Sequence, residues 1–359
     1  MEIFNPGDMP QTKHPSLAES RFTDRLIELI NSGDMPQNVL VAEHPSPANP
    51  KFTDSIKRGL ERLSHKTRFN LDFVSSPRNE SEANQLIRET EPGTEIIVLA
   101  GDGVLNSLYS SIYNLEEKSL RLSALGGGGA CDFARQTHPI ILASTLTNTL
   151  RSPALAHKPL VTTVEHPDID TPDNKIKIIS SIYFDLGFTA RMASRYNSPD
   201  FRESVKGIKP TKRKYIQLKE IFKNINHADL FDIEYEDGST TEVGEYVFTN
   251  GSRMAGGLVR FNGNSLFAPK FGEMAIGEIN YPTFTISLAK AALGLYQKHY
   301  DGEEVRFKVN SKNEAPILYQ SDGESGTFPS GSIVSIGLGK AIVQAVTSNA
   351  FHIGLERAA

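Results

Sequence analysis

The sequence predicts a two-domain, α/β plus all-β protein, in which a Rossmann-like parallel α/β domain precedes a mostly antiparallel, β-sandwich-like domain. At 359 residues the chain is too long for one ordinary hydrophobic core. Strand and helix patterns alternate as far as residue 151, and strand-like runs separated by turn signals dominate after Pro153. We therefore predict a leader at residues 1–37, an α/β domain at 38–153 and a β-rich domain at 154–359.

The first domain is predicted from short β-branched runs that alternate with amphipathic runs of helical period. The predicted strands are residues 39–41, 69–74, 96–99 and 120–125, and the predicted helices are residues 52–63, 80–89, 105–114 and 140–150. Such alternation is typical of a parallel sheet with helices on its faces. Functional sites in these sheets lie outside the carboxyl ends of the strands, so the loops that follow the strands are the first place to look.

The second domain is predicted from runs rich in Val, Ile, Phe and Tyr, separated by turns such as Asp237-Gly238 and Asp301-Gly302. The predicted strands are residues 160–164, 176–184, 230–235, 245–249, 305–309, 333–336 and 341–346. Helical patterns at residues 211–224 and 285–296 interrupt them. This domain is expected to be mostly antiparallel, with a cleft between it and the first domain.

Composition and charge exclude several classes of protein. A net charge of −5 argues against general nucleic-acid binding, which requires a basic face. The single cysteine, Cys131, fits a reducing cytosol, and no apolar signal-peptide core follows the polar N-terminus. The longest mostly apolar stretch, Phe284 to Tyr296, is 13 residues long and carries Lys290, too short and polar to span a bilayer. We expect a cytoplasmic protein whose membrane contact, if any, is peripheral at the inner surface.

A phosphate-binding pattern follows the predicted strand at residues 96–99. The chain there reads Gly101-Asp102-Gly103 and then turns into an amphipathic helix. Glycines let the backbone approach a phosphate closely, and the start of a helix directs N–H groups at it. Asp102 cannot hold a phosphate by charge, so it is expected to be a metal ligand or a proton acceptor. No Gly-x-x-x-x-Gly-Lys-Ser/Thr loop occurs in the chain.

Several further residues stand at the predicted strand ends, where the loops converge on one edge of the sheet. A second glycine cluster, residues 126–129, runs into Asp132 about 25 residues after the first. The predicted nucleotide-binding residues are Gly101, Gly103, Val104, Asn106, Ser46, Ser76, Gly126, Gly127, Gly128, Gly129 and Asp132. Cys131, within this stretch, is expected to be a small side chain that fills a packed loop, with a reactive thiol as the alternative.

The order and spacing of these motifs resemble the catalytic family of the diacylglycerol kinases and sphingosine kinases, which belongs with the NAD kinases in one superfamily. Gly101-Asp102-Gly103, the loop ending in Asp132-Phe133 and the late Asp322-Gly323-Glu324 carry the resemblance. Further matches are Leu186 to Ala190, Phe248 to Gly251, Gly256-Gly257 and Ala268-Pro269. The resemblance covers roughly residues 38–347.

The resemblance implies an ATP-dependent, Mg²⁺-requiring kinase that phosphorylates a hydroxyl of a diacylglycerol- or sphingoid-type lipid. Asp102 is then expected to act as general base, as a metal ligand, or as a partner of nucleotide hydroxyls as in the NAD kinase branch. Glu324 is expected to be the second catalytic carboxylate, facing the γ-phosphate through magnesium or a substrate hydroxyl. The identical tripeptide Asp301-Gly302-Glu303 is expected to be a plain hairpin turn.

Departures from the family pattern keep two alternatives open. Ala100, Val104, Cys131 and Thr189 stand where the family has a glycine, a threonine, an amide and an aspartate. Residues 274–277 replace the family's Asp-Asp-Gly, whose loss bears on its structural magnesium. A nucleotide- or lipid-binding relative without transfer activity therefore remains an alternative, as does a kinase of a soluble alcohol such as NAD.

The segment from Arg202 to Lys223 is rich in lysine and arginine and has a helical pattern at 211–224. Tyr215, Leu218 and Phe222 fall on one helical face. A basic amphipathic helix is typical of membrane-surface contact. A lid helix whose apolar stripe packs on its own domain is the alternative. Peripheral membrane contact through residues 202–223 and a homodimer are both left open by the sequence.

Overall fold

The computed structural model describes residues 35–348 except 46, 48–49, 118, 128–130, 139–145, 147–149, 206–207, 209, 226–228, 255–258, 262–263, 278, 280–285, 288, 291–292, 294 and 296–297. Two compact units account for the described chain. One comprises the residues up to Lys158 together with those from Ala341, and the other comprises Pro159–Lys340.

The helices and strands are numbered in chain order. The helices are α1 (Pro50–Thr67), α2 (Glu80–Glu89), α3 (Asp102–Asn114), α4 (Asp132–Thr137), α5 (Phe188–Asn197), α6 (Pro199–Ser204) and α7 (Pro210–Asn224). The strands are β1 (Asn38–Glu43), β2 (Asn70–Ser75), β3 (Glu95–Leu99), β4 (Arg121–Ala124), β5 (Ala154–His157), β6 (Leu160–Glu165), β7 (Lys175–Ser180), β8 (Tyr183–Gly187), β9 (Phe231–Tyr235), β10 (Thr240–Val243), β11 (Glu245–Thr249), β12 (Arg253–Met254), β13 (Val259–Arg260), β14 (Phe271–Ile276), β15 (Lys298–Tyr300), β16 (Val305–Ser311), β17 (Ile317–Ser321), β18 (Glu324–Phe328), β19 (Ser332–Leu338) and β20 (Val343–Val346).

The first unit contains a six-stranded sheet in the order β2-β1-β3-β4-β20-β5. Neighbouring strands run parallel from β2 to β20, and β5 alone is antiparallel to its neighbour. Every residue of β3 is buried, as expected for a central strand covered on both faces. The amphipathic helix α1 buries Ile56 and Leu60 in the same cluster as Ile97 and Leu99 of β3. The predicted Rossmann-like parallel domain is confirmed.

Helix α2 has the bounds that its sequence predicts. Asn79 caps the helix by accepting a hydrogen bond from the Glu82 backbone N–H at 2.9 Å. The Glu82 carboxylate in turn accepts from the backbone N–H of Arg78 at 2.8 Å. The first bond satisfies an N–H group of the first helical turn that would otherwise have no partner, and the second fixes the chain just before the cap. Helix α3, by contrast, begins at Asp102, three residues before the start that its apolar pattern predicts.

Two strands of the first sheet come from segments that the sequence places in the second domain. β5 begins one residue after the predicted boundary, and β20 lies about 185 residues further along the chain. β20 pairs parallel with β4 and antiparallel with β5, and Val343, Ala345 and Val346 are all buried. The first unit is therefore completed by a segment that returns to its sheet after the whole second unit.

The second unit contains two six-stranded antiparallel sheets, in the orders β10-β9-β16-β19-β6-β7 and β15-β14-β11-β8-β17-β18. Alternate residues of both sheets meet in one apolar core. Aromatic rings at its centre make close pairs, including Phe248 stacked on Phe307 at 5.7 Å and Tyr246 edge-on to Phe307 at 5.2 Å. This architecture confirms the predicted sandwich-like, mostly antiparallel domain.

The elements of the second unit differ from the sequence prediction in several places. The strand predicted at residues 176–184 is two strands, β7 and β8, separated at Ser181-Ile182. Helices α5 and α6, which cover residues 188–204, have no counterpart in the prediction. Helix α7 is found where it is expected. Most of the predicted helices at 140–150 and 285–296 lie outside the described residues, as do the leader up to residue 34 and Ser46.

Candidate functional site

The turn after β3 places an uncapped helix start at the carboxyl edge of the parallel sheet. Gly101 is the N-cap of α3 and has no side chain to accept from the backbone N–H groups of the first turn. Its carbonyl oxygen accepts from the Leu105 N–H at 3.2 Å, which closes the first helical turn. N–H groups at such a terminus carry a partial positive charge. An anion such as a phosphate suits this position.

Asp102 joins this turn to the second glycine loop. Its Oδ2 accepts a hydrogen bond from the backbone N–H of Asp132 at 3.2 Å, where α4 begins. Burial raises the pKa of the Asp102 carboxyl, while backbone N–H groups of the Asp132 turn and the charge of Arg135 act in the opposite direction. The carboxylate thus has a structural partner as well as a raised proton affinity.

The second glycine loop approaches the end of β3 so closely that only glycine fits at one position. Gly126 and Gly127 have φ values of +81° and +146°, and Cys131 is left-handed at +52°. A Cβ atom on Gly127 would lie 2.9 Å from the backbone carbon and oxygen of Leu99. Gly127 is therefore required for packing between the two loops. Gly128 and Gly129 lie outside the described residues.

We expect Gly127→Ala to destabilise the protein by about 1–3 kcal/mol, because a strained φ and a backbone clash would occur together. The free energy of unfolding from urea titration measures the effect. Gly93→Ala is the matched control, since Gly93 also has a positive φ, +81°, but a Cβ there meets nothing within 4 Å. Equal losses in the two variants would show that backbone strain alone, without the Leu99 contact, accounts for the result.

The remaining predicted nucleotide-binding residues of the first unit that the structure describes differ in exposure. Val104 is half-buried in the first turn of α3, and Asn106 and Asp132 are buried. Ser76 is buried at the end of β2, where its backbone N–H donates to the Glu43 carbonyl oxygen at 2.7 Å.

A small pocket next to Asp102 is lined by residues of both loops, including Gly101, Leu105, Gly126, Cys131 and Ala134. Cys131 is half-buried at this pocket.

In the second unit, Glu324 is exposed at the first position of β18, opposite Ser321 of β17. The turn before it is held by Asp322, which is fully buried, and the sequence motif alone does not indicate this structural role. Its carboxylate accepts from the backbone N–H groups of Ser181, Ile182 (3.1 Å) and Tyr183 (3.0 Å) and from the Ser181 hydroxyl at 2.9 Å. A carboxylate with this many donors fixes the turn that presents Glu324.

The other Asp-Gly-Glu tripeptide has none of this support. Asp301, Gly302 and Glu303 are all exposed, and they join β15 to β16 as a plain turn. Asp322 also has a positive φ, +46°, a conformation that aspartate tolerates better than most residues. Asp301 does not have a positive φ. The structure therefore distinguishes two tripeptides that are identical in sequence.

A buried pair of carboxyl groups, Asp185 and Glu245, lies on the sheet that contains β8 and β11, on the face opposite the aromatic core. Asp185 is opposite Val247 in the β8–β11 ladder, so Glu245 is its diagonal neighbour on the same face. The backbone N–H of Thr189 in α5 donates to Glu245 Oε2 at 2.7 Å. Within the described residues, neither carboxyl oxygen of Asp185 has a hydrogen-bond partner, and the side chain is fully buried.

Burial is the main reason that both groups hold a proton more tightly than usual. It raises the pKa of Glu245 from 4.5 to about 7, against hydrogen bonds from Thr189 that lower it. Burial, and then the charges of Glu245 and Asp322, raise the pKa of Asp185 well above its ordinary range. These interactions favour a neutral Asp185.

We expect the contribution of Glu245 to the free energy of unfolding to fall by about 3 kcal/mol as pH rises from about 4.5 to about 7. In this window the unfolded chain releases the proton and the folded chain retains it, so rising pH favours unfolding. Asp185→Asn removes one acid of the pair and should make the fall shallower in urea titrations at several pH values. Exposed Glu303→Gln should leave the slope unchanged, and identical slopes in wild type and Asp185→Asn would contradict a role for the buried pair.

Magnesium would need oxygen ligands beyond those of the protein. Within the described part of the chain, no three His, Cys, Asp or Glu side chains cluster closely enough to hold a metal ion. Mg²⁺ is commonly bound by one or two carboxylates together with substrate phosphates and water. Asp102 beside an uncapped helix start fits that pattern, because it supplies one carboxylate next to donors suited to phosphate.

No helix within the described residues is both long and apolar enough to cross a bilayer.

The fold is similar to those of solved kinases. A diacylglycerol kinase from Bacillus anthracis str. Sterne has a TM-score of 0.57 at 14% identity, over 88% of this chain and 98% of its own. Yeast NADH kinase in complex with NADH has a TM-score of 0.50 at 14% identity, over 90% of this chain and 87% of its own. No family model and no curated protein sequence matches the chain. At this identity the comparison shows the fold alone, and the chain has the kinase-like fold that its motifs predict.

Proposed function

We propose that this protein transfers the γ-phosphoryl group of ATP to a hydroxyl of a diacylglycerol- or sphingoid-type lipid. One observation carries the proposal: Asp102, at the carboxyl end of β3, binds the backbone of the second glycine loop beside an uncapped helix start. The fold shared with a diacylglycerol kinase and an NADH kinase supports it.

On this proposal the first unit binds the nucleotide. Backbone N–H groups of the first turn of α3 and of the second glycine loop contact the phosphates, since Gly101, Gly103 and Gly126 have no side chain to keep an anion away. Gly127 packs against the Leu99 backbone, which keeps this part of the second glycine loop next to the end of β3. Phosphoryl transfer depends mainly on such positioning and on electrostatic stabilisation.

Asp102 and Glu324 are the proposed catalytic carboxylates. A raised pKa suits Asp102 to accept the proton of the attacking hydroxyl, because a base works best when its pKa is near the working pH. Glu324 is held at an exposed position by the Asp322 turn, so it is available to a substrate. Mg²⁺, held by Asp102 or Glu324 together with phosphate oxygens, would neutralise charge on the phosphates.

A lipid acceptor is favoured over a soluble one by the second unit. Large apolar side chains of α7 are exposed next to lysines, as in proteins that work at lipid surfaces. NAD is the alternative acceptor, supported by the likeness to NADH kinase. A binding protein without transfer activity is the second alternative, supported by Val104 and Cys131 in the two phosphate loops.

Incubation with labelled ATP and a lipid extract, followed by chromatography, tests the acceptor. New phospholipid bands are expected, with no labelled product when NAD replaces the extract. Label transferred to NAD alone would establish the soluble alternative. Saturable nucleotide binding without transfer to any alcohol would establish the binding protein.

A further inference from the structure

Helix α7 is anchored to the second unit by one face. The Tyr196 hydroxyl of α5 donates to the Gln217 carbonyl oxygen at 2.9 Å, and Arg195 Nε lies 3.4 Å from the Glu220 carboxylate. Ile221 packs against the cluster that contains Phe188 and Met192 of α5. The contacts that hold the helix in place are therefore made by the face that carries Gln217, Glu220 and Ile221.

The opposite face exposes large apolar side chains to solvent. Tyr215 is 68% exposed, Leu218 48% and Phe222 38%. Their spacing of three and four residues places them in one stripe along the helix. The lid interpretation requires this stripe to pack on its own domain, and these exposures do not fit it.

Charged residues on α7 are distributed unequally between the two faces. Lys212, Lys219 and Lys223 are exposed beside the apolar stripe. Glu220, the single acidic residue of the helix, is half-buried and paired with Arg195. The described exposed face therefore presents three lysines and no carboxylate.

The charge pattern favours an anionic surface as the occupant of this face. A second copy of the chain, packed through the same face about a two-fold axis, would bring lysines against lysines. An anionic bilayer instead offers phosphates to the lysines and an apolar boundary to the three larger side chains. Tyrosine and lysine are also residues that place a polar tip in the headgroup layer and an apolar body below it.

We propose that the exposed face of α7, formed by Lys212, Tyr215, Leu218, Lys219, Phe222 and Lys223, is a docking surface for bilayers that contain anionic lipid. Helix α5 links this surface to the proposed catalytic turn, because the Asn197 side-chain amide donates to the Gly323 carbonyl oxygen at 2.7 Å. Docking through α7 would thus bring a membrane close to the part of the second unit that carries Glu324. This last step rests on the proposed function, whereas binding to the bilayer does not.

Co-sedimentation of the full chain with vesicles tests the proposal. We expect binding to phosphatidylcholine vesicles that contain phosphatidylserine, weaker binding at high salt, and little binding to phosphatidylcholine alone. Lys219→Glu/Lys223→Glu should lower the affinity by about tenfold or more, since each lysine contributes to attraction at the surface. Tyr215→Ser/Leu218→Ser should lower it through loss of apolar contact.

Ile286→Ser/Leu293→Ser is the matched control, because these side chains are 55% and 66% exposed but belong to a different segment. The control variant should bind vesicles like the wild type. The proposal is overturned by any of three results: phosphatidylserine does not increase binding of the wild type to vesicles, the control loses as much vesicle affinity as the α7 variants, or the α7 substitutions dissociate a dimer instead.

Phosphorylation of a short-chain diacylglycerol in detergent micelles should survive in every α7 variant. Vesicle binding without any such phosphorylation would support docking and refute the kinase.

Discussion

Asp102→Asn is expected to lower kcat for phosphoryl transfer by about 10²–10⁴-fold, the range for loss of a positioned base. Asparagine retains an oxygen that can accept the Asp132 N–H, so the two loops should stay joined and the fold should survive. It cannot accept the substrate proton or supply a negative charge to magnesium. Steady-state kinetics and thermal unfolding on the same preparation measure the two effects separately.

Asp102→Ala is the informative companion, because it removes the hydrogen bond to Asp132 as well as the charge. Nucleotide affinity should fall in the alanine variant and remain near the wild-type value in the asparagine variant. Wild-type turnover in Asp102→Asn would exclude Asp102 from the chemistry and leave it as a structural residue that joins two loops.

Glu324→Gln is expected to lower kcat by about 10²-fold or more with little change in nucleotide binding. Glutamine has nearly the same size and removes only the charge that holds magnesium or accepts a proton. Because Glu324 is exposed and its turn is fixed by Asp322, the substitution should not disturb the fold. Isothermal titration with nucleotide and measurement of kcat test the two parts of the prediction.

Glu303→Gln is the control, in an identical tripeptide that lacks a buried aspartate. It should behave as wild type in both assays. Equal activity in Glu324→Gln and Glu303→Gln would mean that the second unit contributes no catalytic carboxylate through either turn.

Local sequence signals predict the elements that local interactions determine. Asn79 and Glu82 define the start of α2, and the apolar run at Ile96 to Leu99 defines a central strand. The place of β20 in the first sheet could not be predicted in this way. Its pairing with β4 joins segments more than 200 residues apart, and a strand of four residues, three of them buried, does not indicate which sheet it completes.

The sequence predicts that the turn after β3 binds an anion, but it does not predict the contacts between this turn and the second glycine loop. Gly101-Asp102-Gly103 signals an anion-binding turn, yet the sequence does not show that Asp102 binds the second loop. All four glycines at 126–129 look equivalent in sequence, and the requirement at Gly127 comes from the Leu99 backbone.

The burial of Asp185 and Asp322 and their contacts could not be predicted from the sequence for a related reason. A single acidic residue in an apolar strand, or before a glycine, is ordinary until its burial and its neighbours are known. The sequence offers one signal for Asp185: it is an acidic residue within the apolar run Tyr183 to Leu186. Carboxylates seldom occupy a buried strand without a partner, so such a residue is a candidate for a functional or structural role.

Transfer of labelled γ-phosphate to purified diacylglycerol, measured side by side for wild type, Asp102→Asn and Glu303→Gln, tests whether this protein is a lipid kinase that depends on Asp102. We expect labelled phosphatidic acid with wild type and with Glu303→Gln, and at most about one hundredth of that rate with Asp102→Asn. Equal labelling by all three proteins, or label found in inorganic phosphate alone, would contradict it.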